Sequence, residues 1–170
     1  IGPAGCTLTN AAFVPPAPDD LSNAFGALER FLHDHDQPPL VLAGLAHAQF
    51  ETIHPFLDGN GRVGRLLITL LLVERNVLTK PLLYLSLFLK QNRAEYYERL
   101  SGIRTRGDWE GWLTFFLTGV TTTANDAVRV AAAVSEMRDR HVRLAASENL
   151  GRYGVPLLDL LAEQPLVTVK

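Results

Sequence analysis

The sequence predicts an all-α domain with a small β appendage near its start. Apolar residues recur at helical spacing in several stretches, Pro and Gly clusters punctuate those stretches, and strand-like character is confined to the first fourteen residues. A length of 170 residues suffices for one domain with a sizeable core.

Residues 5–14 read as a short hairpin with a turn near Thr9 and Asn10, stopped by Pro15, Pro16 and Pro18. A first helix is expected from an Asp19 or Asp20 cap to about His35, with Leu21, Ala24, Phe25, Leu28, Phe31 and Leu32 as its apolar stripe. Pro38 and Pro39 then open a second helix from Leu40 to about Ile53. It ends there because Pro55 disfavours helical geometry at His54. A Gly-rich loop follows, and a third helix starts near Gly61 or Arg62. Its run from Leu66 to Val73 is apolar all round, which predicts a buried central helix. Further helices are expected at 82–90, 92–104 and 109–121, then a long one at about 124–148, with Thr121, Thr122 and Thr123 at the join. Trp109, Trp112, Phe115 and Phe116 read as core. After Gly151, a helix start at 157–161 and an extended piece at 165–169 read as the opening of a second, truncated module.

Bulk composition narrows the function. A net charge of −2 gives no basic field for nucleic acid, so no nucleic-acid partner is expected. The longest apolar run, Leu66 to Val73, is far short of the roughly 20 residues of a membrane span. A single cysteine, Cys6, allows no internal disulfide, and no signal peptide is visible, so a cytoplasmic location is expected. The chain begins at Ile1 rather than Met and reads as a fragment with residues upstream.

The chemistry concentrates in residues 54–65, H-P-F-L-D-G-N-G-R-V-G-R. Gly59, Asn60 and Gly61 tolerate unusual backbone angles, and their N–H groups can form a nest at a helix start. Unpaired donors and partial positive charge there suit phosphate. Arg62 and Arg65, three apart, can reach one anion. Asp58 beside the nest would repel phosphates unless a hard cation bridges them, and Mg²⁺ does so. His54 is the nearby group that titrates near neutrality and can take a proton from a hydroxyl. Together they read as a site for phosphoryl or nucleotidyl transfer. Phe56 reads as an anchor for the loop.

Other readings are weaker. Gly59 to Gly64 also fit G-x-G-x-x-G, but the segment before them is helical, not a strand. His47, Glu51 and His54 share a helix face at metal-ligand spacing, but Pro55 swings His54 away. His47 then reads as packing and Glu51 as a brace for His54 or the loop. His33, His35 and His141 read as solvated surface.

The stretch resembles the signature of the Fic family, H-x-F-x-(D/E)-G-N-G-R-x-x-R, at every fixed position. Similarity extends from about Ile1 to Val120, through Phe50 and Glu51, Tyr84 to Ser86, Asn92 and Arg93, and Tyr96 and Tyr97. The resemblance implies a Fic-like helical bundle over residues 1–150, with a flap at about 5–14 and a motif loop at 54–61. It implies transfer of AMP from ATP to a Ser, Thr or Tyr hydroxyl of a target protein, releasing pyrophosphate. His54 would be the base and Asp58 the Mg²⁺ ligand. Gly59, Asn60 and Gly61 would form the nest, with Val63 and Gly64 in the same nucleotide-binding turn. Arg62 and Arg65 would grip the outer phosphates, and Tyr96 and Tyr97 would lie near the adenine. The flap would hold the target by strand addition. Gly61 stands where a phosphoryl-transferring branch has Lys, so kinase-like chemistry is disfavoured. The family's inhibitory pattern, (S/T)-x-x-x-E-(G/N), is not matched. Glu110 and Glu148 fit its end, but Arg106 and Leu144 hold the Ser/Thr position. An inhibitory helix is expected upstream or on a partner. Two alternatives stay open: a nucleotide-binding regulatory module without transfer, and removal of AMP by the same site.

Overall fold

Seven helices make up the regular structure of the computed structural model, which describes residues 1–2, 5, 7–80, 83–148, 150 and 152–163. They are α1 (Pro18–Leu32), α2 (Pro39–Ile53), α3 (Asn60–Glu74), α4 (Leu85–Gln91), α5 (Arg93–Arg106), α6 (Trp109–Ser147) and α7 (Gly154–Glu163). The chain divides into two units, Ile1–Thr123 and Ala124–Lys170, with the boundary inside α6.

The first unit is built around α2. Its start follows from Pro38 and Pro39, since Pro at the first helical position costs no hydrogen bond. Its end follows from His54, which adopts the left-handed conformation (φ 49°, ψ 57°) directly before Pro55. Leu42, Ala43, Gly44, Ala46, His47, Ala48, Phe50, Glu51 and Ile53 are all buried, so burial continues round this helix. Small residues let neighbours close in. A Cβ on Gly44 would lie 2.9 Å from the Phe116 ring, and the Trp112 indole donates to the Gly44 carbonyl at 2.9 Å. Trp112, Phe115 and Phe116 are buried as expected, whereas Trp109 is partly exposed. Asp108 caps the start of α6 by accepting from the Gly111 N–H at 2.9 Å.

Several expectations need correction. The central helix is α2, not α3. The α3 residues Gly64, Ile68, Leu71 and Leu72 are buried, but Leu66 and Leu70 are 55% and 56% exposed. A run that is apolar all round carried no information about which side would be covered. Among the described residues of 5–14 there is no strand, so the expected hairpin is a loop. The Asn10 side chain takes the Thr7 N–H at 2.6 Å and closes a local turn. Besides the local bond from the Asn10 N–H to the Thr7 carbonyl at 3.2 Å, main-chain pairing among the described residues of this segment joins Ile1 and Phe13, which exchange bonds in both directions. One pair is too few to make a ladder before Pro15 and Pro16 intervene.

Other corrections concern helix bounds. α1 ends at Leu32, three residues early, with His33 as its cap. α4 begins at Leu85 rather than 82, and α5 runs on to Arg106. No break separates 109–121 from 124–148. Thr118, Thr121 and Thr123 each donate back to the carbonyl four residues earlier, which satisfies their hydroxyls inside a helix.

In the second unit, Arg138 pairs with Asp159 across 2.5 Å, and His141 is half-buried rather than fully solvated. The helix expected at 157–161 lies within α7. Cys6 and the expected extended piece at 165–169 fall outside the described residues. No helix among the described residues is long and apolar enough to cross a membrane.

Candidate active site

Residues 54–65 form the link between the buried helix α2 and the start of α3. Gly59 caps α3 in the left-handed region (φ 88°), where a Cβ would be strained. Asn60 is 2% exposed and clamps the loop. The Phe56 N–H donates to Asn60 Oδ1 at 2.9 Å, and Asn60 Nδ2 donates to the Phe56 carbonyl at 2.5 Å. The Phe56 ring lies 6.3 Å from that of Phe50 but is 47% exposed, so it packs on the core only in part. Thus the side chain of Asn60 holds the loop, and its contribution to a nest is through main chain alone.

The Gly59 carbonyl accepts from the N–H groups of Arg62 and Val63, each at 3.0 Å. No main-chain acceptor for the Asn60 and Gly61 N–H groups occurs among the described residues, as expected at a first helical turn. Those two amides are the available nest.

His54 is half-buried, and its Nδ1 is enclosed without a hydrogen-bond partner. Burial holds its pKa below the ordinary imidazole value. The nearby Glu51 carbonyl opposes this, while Arg104 adds to it. The neutral imidazole, able to accept a proton, is therefore favoured near neutral pH.

Asp58 and Arg62 pair at 3.0 Å on the surface, with side chains 92% and 76% exposed. Such a pair contributes little to stability and opens readily. A single exposed carboxylate is too few ligands to hold Mg²⁺ alone, but it fits a cation shared with phosphate oxygens. The described residues contain no cluster of three metal-ligating side chains, so the His47, Glu51 and His54 cluster does not form.

Arg65 lies inward of Arg62. A Cβ on Gly61 would meet its guanidinium at 3.0 Å. Arg65 also lines a cavity of about 520 Å³ shared with Tyr84, Lys90, Arg93, Tyr96 and Tyr97. The two tyrosines differ. Tyr97 is exposed, with Arg93 5.5 Å from its ring centre, while Tyr96 is 5% exposed and its hydroxyl bonds His47 Nε2 at 3.0 Å. Burial pushes the Tyr96 hydroxyl pKa far up, so it stays neutral.

Beneath the loop lies a polar cluster that sequence reading resolved only in part. His47 is fully buried, and desolvation lowers its pKa to about 4. Glu51 is nearly buried, and desolvation raises its pKa against the pull of Arg65 and Arg104. A Cβ on Gly64 would sit 2.8 Å from Glu51 Oε1 and 3.1 Å from His47 Nδ1. Gly64 therefore serves close approach of α3 to α2, while the Val63 side chain points to solvent. Arg104 was not anticipated. It donates to the Glu51 carbonyl at 3.2 Å and to Thr52 Oγ1 at 3.4 Å. A larger cavity of about 580 Å³, lined by Leu28, Phe31, Leu45, Gln49, Trp109 and others, carries no titratable side chain and offers no comparable chemistry.

Residues 4–72 match the model of the Fic/DOC family. Curated relatives include the protein adenylyltransferase Fic of Drosophila ananassae, 37% identical over 105 residues, which is 60% of this chain and 20% of the relative. That of Drosophila melanogaster is 36% identical over the same length and shares. The chain thus spans about a fifth of the length of these relatives. Among solved structures, a Fic family protein from Desulfovibrio desulfuricans G20 aligns with a TM-score of 0.63 and 31% identity, covering 69% of this chain and 36% of that one. The resemblance read from residues 54–65 stands.

Proposed function

We propose that this chain, whose residues 4–72 match the Fic/DOC family, transfers AMP from ATP to a Ser, Thr or Tyr hydroxyl of a target protein. The observation that carries the reading is the Asn60–Phe56 clamp, which fixes the end of α2, with its proton-accepting His54, against the open first turn of α3.

In this mechanism the triphosphate lies over the Asn60 and Gly61 amides, with Arg62 and Arg65 on its outer phosphates. Asp58, released from its surface pair with Arg62, would hold Mg²⁺, which would supply neutralisation of phosphate charge. His54 takes the proton as the target oxygen bonds to the α-phosphorus and the bond to pyrophosphate breaks. With Nδ1 enclosed, Nε2 is the nitrogen that accepts it. The cavity beside Arg65 receives the base and ribose, with Tyr97 at its mouth and Tyr96 in its wall. The absence of a side chain on Gly61 leaves Arg65 room at the phosphates.

The proposed domain covers residues 1–150, and the unit Ile1–Thr123 holds every site residue named. Residues 151–170 open a second module. The target runs beside segment 5–14, which pairs with it on docking. Inhibition would come from a glutamate outside this chain reaching Arg65, which makes no ion pair within 4 Å among the described residues. A cytoplasmic setting, rich in ATP and Mg²⁺, belongs to the same proposal.

The test uses α-³²P-ATP with Mg²⁺. Wild type labels protein, while His54→Ala does not label yet still binds ATP. Label retained by His54→Ala removes the mechanism.

A further inference from the structure

A guanidinium outside the motif touches both the N-terminal segment and the turn that presents His54. Arg104, on α5, lies with its Cζ 3.7 Å from the centre of the Phe13 ring. From that position Nη2 donates to the Glu51 carbonyl at 3.2 Å and Nε to Thr52 Oγ1 at 3.4 Å. The Glu51 carbonyl belongs to the last turn of α2, where carbonyls lack helical partners, and it also faces the His54 imidazole. Phe13 in turn exchanges main-chain bonds with Ile1. Two segments about 40 residues apart in sequence thus meet on one half-buried side chain.

We propose that Arg104 is a positioning residue that locks the Phe13 segment to the last turn of α2, so that the docking edge and the His54 imidazole are held in one frame. Arginine suits this task. Its planar face stacks on an aromatic ring while its edge donors reach separate acceptors. Lysine can place charge over the ring but cannot reproduce the fork. The docking half of the proposal rests on the AMP-transfer reading. The mechanical half does not.

The experiment is hydrogen exchange by mass spectrometry on the 170-residue chain, reading peptides that span residues 7–14. Arg104→Gln is expected to speed exchange there about tenfold, with α3 and α5 peptides unchanged. Phe13→Ala, which leaves α5 untouched, is expected to give the same loosening. In parallel, ATP·Mg²⁺ affinity by calorimetry stays at the wild-type value in Arg104→Gln, while AMP transfer onto the chain's own hydroxyls falls about tenfold and Arg104→Lys restores it in part. Exchange at 7–14 unchanged in both Arg104→Gln and Phe13→Ala overturns the proposal. So does full transfer activity in a loosened Arg104→Gln chain. If wild type transfers no AMP, the functional reading fails, and exchange still decides whether Arg104 makes the tie.

Discussion

The Asn60 side chain bonds the Phe56 main chain in both directions, at 2.9 and 2.5 Å, and so closes the loop that joins His54 to the first turn of α3. In the proposed site, the main-chain donors for an anion depend on this side-chain clamp. In Asn60→Ala the Phe56 N–H and carbonyl lose their partners, and stability should fall by about 1–3 kcal/mol. ATP·Mg²⁺ binding should weaken at least about tenfold as the amides lose their alignment. Urea denaturation and calorimetry measure the two effects.

The glycines allow a paired prediction. A Cβ on Gly64 would meet Glu51 Oε1 at 2.8 Å and His47 Nδ1 at 3.1 Å, whereas one on the half-buried Gly26 of α1 meets only Arg30 Nη1 at 3.6 Å. Gly64→Ala should cost about 1–3 kcal/mol by forcing α3 from α2. Gly26→Ala should add about 0.5–1 kcal/mol by restricting the unfolded chain. Thermal melts of the two variants should move in opposite directions.

The motif and its supporting shell differ in how legible they were. His54, Asp58, Gly59, Asn60, Gly61, Arg62 and Arg65 are local in sequence, and Pro55 with the glycines fixes the helix break between them. The candidate site could therefore be proposed from one window, and α2 could be read between Pro38 and His54. The loop clamp could not, because nothing in the spacing says that the Asn60 amide turns back to Phe56. The exposed face of α3 was illegible because its apolar run offers two equivalent sides, and only contact with α2 at Gly64 chooses one. Arg104 was missed because its partners, Phe13 and Glu51, are distant in sequence. The hairpin failed where a side-chain bond from Asn10 to the Thr7 N–H replaced a ladder.

Stability should depend on pH through His47. Its folded pKa is lowered to about 4 from 6.5, so between these values the unfolded chain binds a proton that the folded chain refuses. Stability therefore falls as pH drops from about 6.5 to about 4, by about 3 kcal/mol for this group. His54, also lowered, acts in the same direction, while Glu51, raised, acts in the opposite one. The difference in pH slope between wild type and His47→Gln in urea denaturation isolates the His47 share. Equal slopes would count against a buried neutral imidazole.

Asp58 and Arg62 should separate stability from binding. Their pair is exposed, so Asp58→Ala and Arg62→Ala should each change stability by less than about 1 kcal/mol. Each should nonetheless weaken ATP·Mg²⁺ binding about tenfold or more, as expected for one lost charge-assisted contact. Melting curves with and without ATP·Mg²⁺ show both effects in one experiment.

The central claim is that His54 and the α3 nest together move an AMP group. Intact-mass spectrometry of the chain after incubation with Mg²⁺ and a panel of nucleotides tests it most directly. The account predicts a gain of one AMP from ATP in wild type and no gain in His54→Ala. A gain of a single phosphoryl group instead, or the same AMP adduct on His54→Ala, would contradict it.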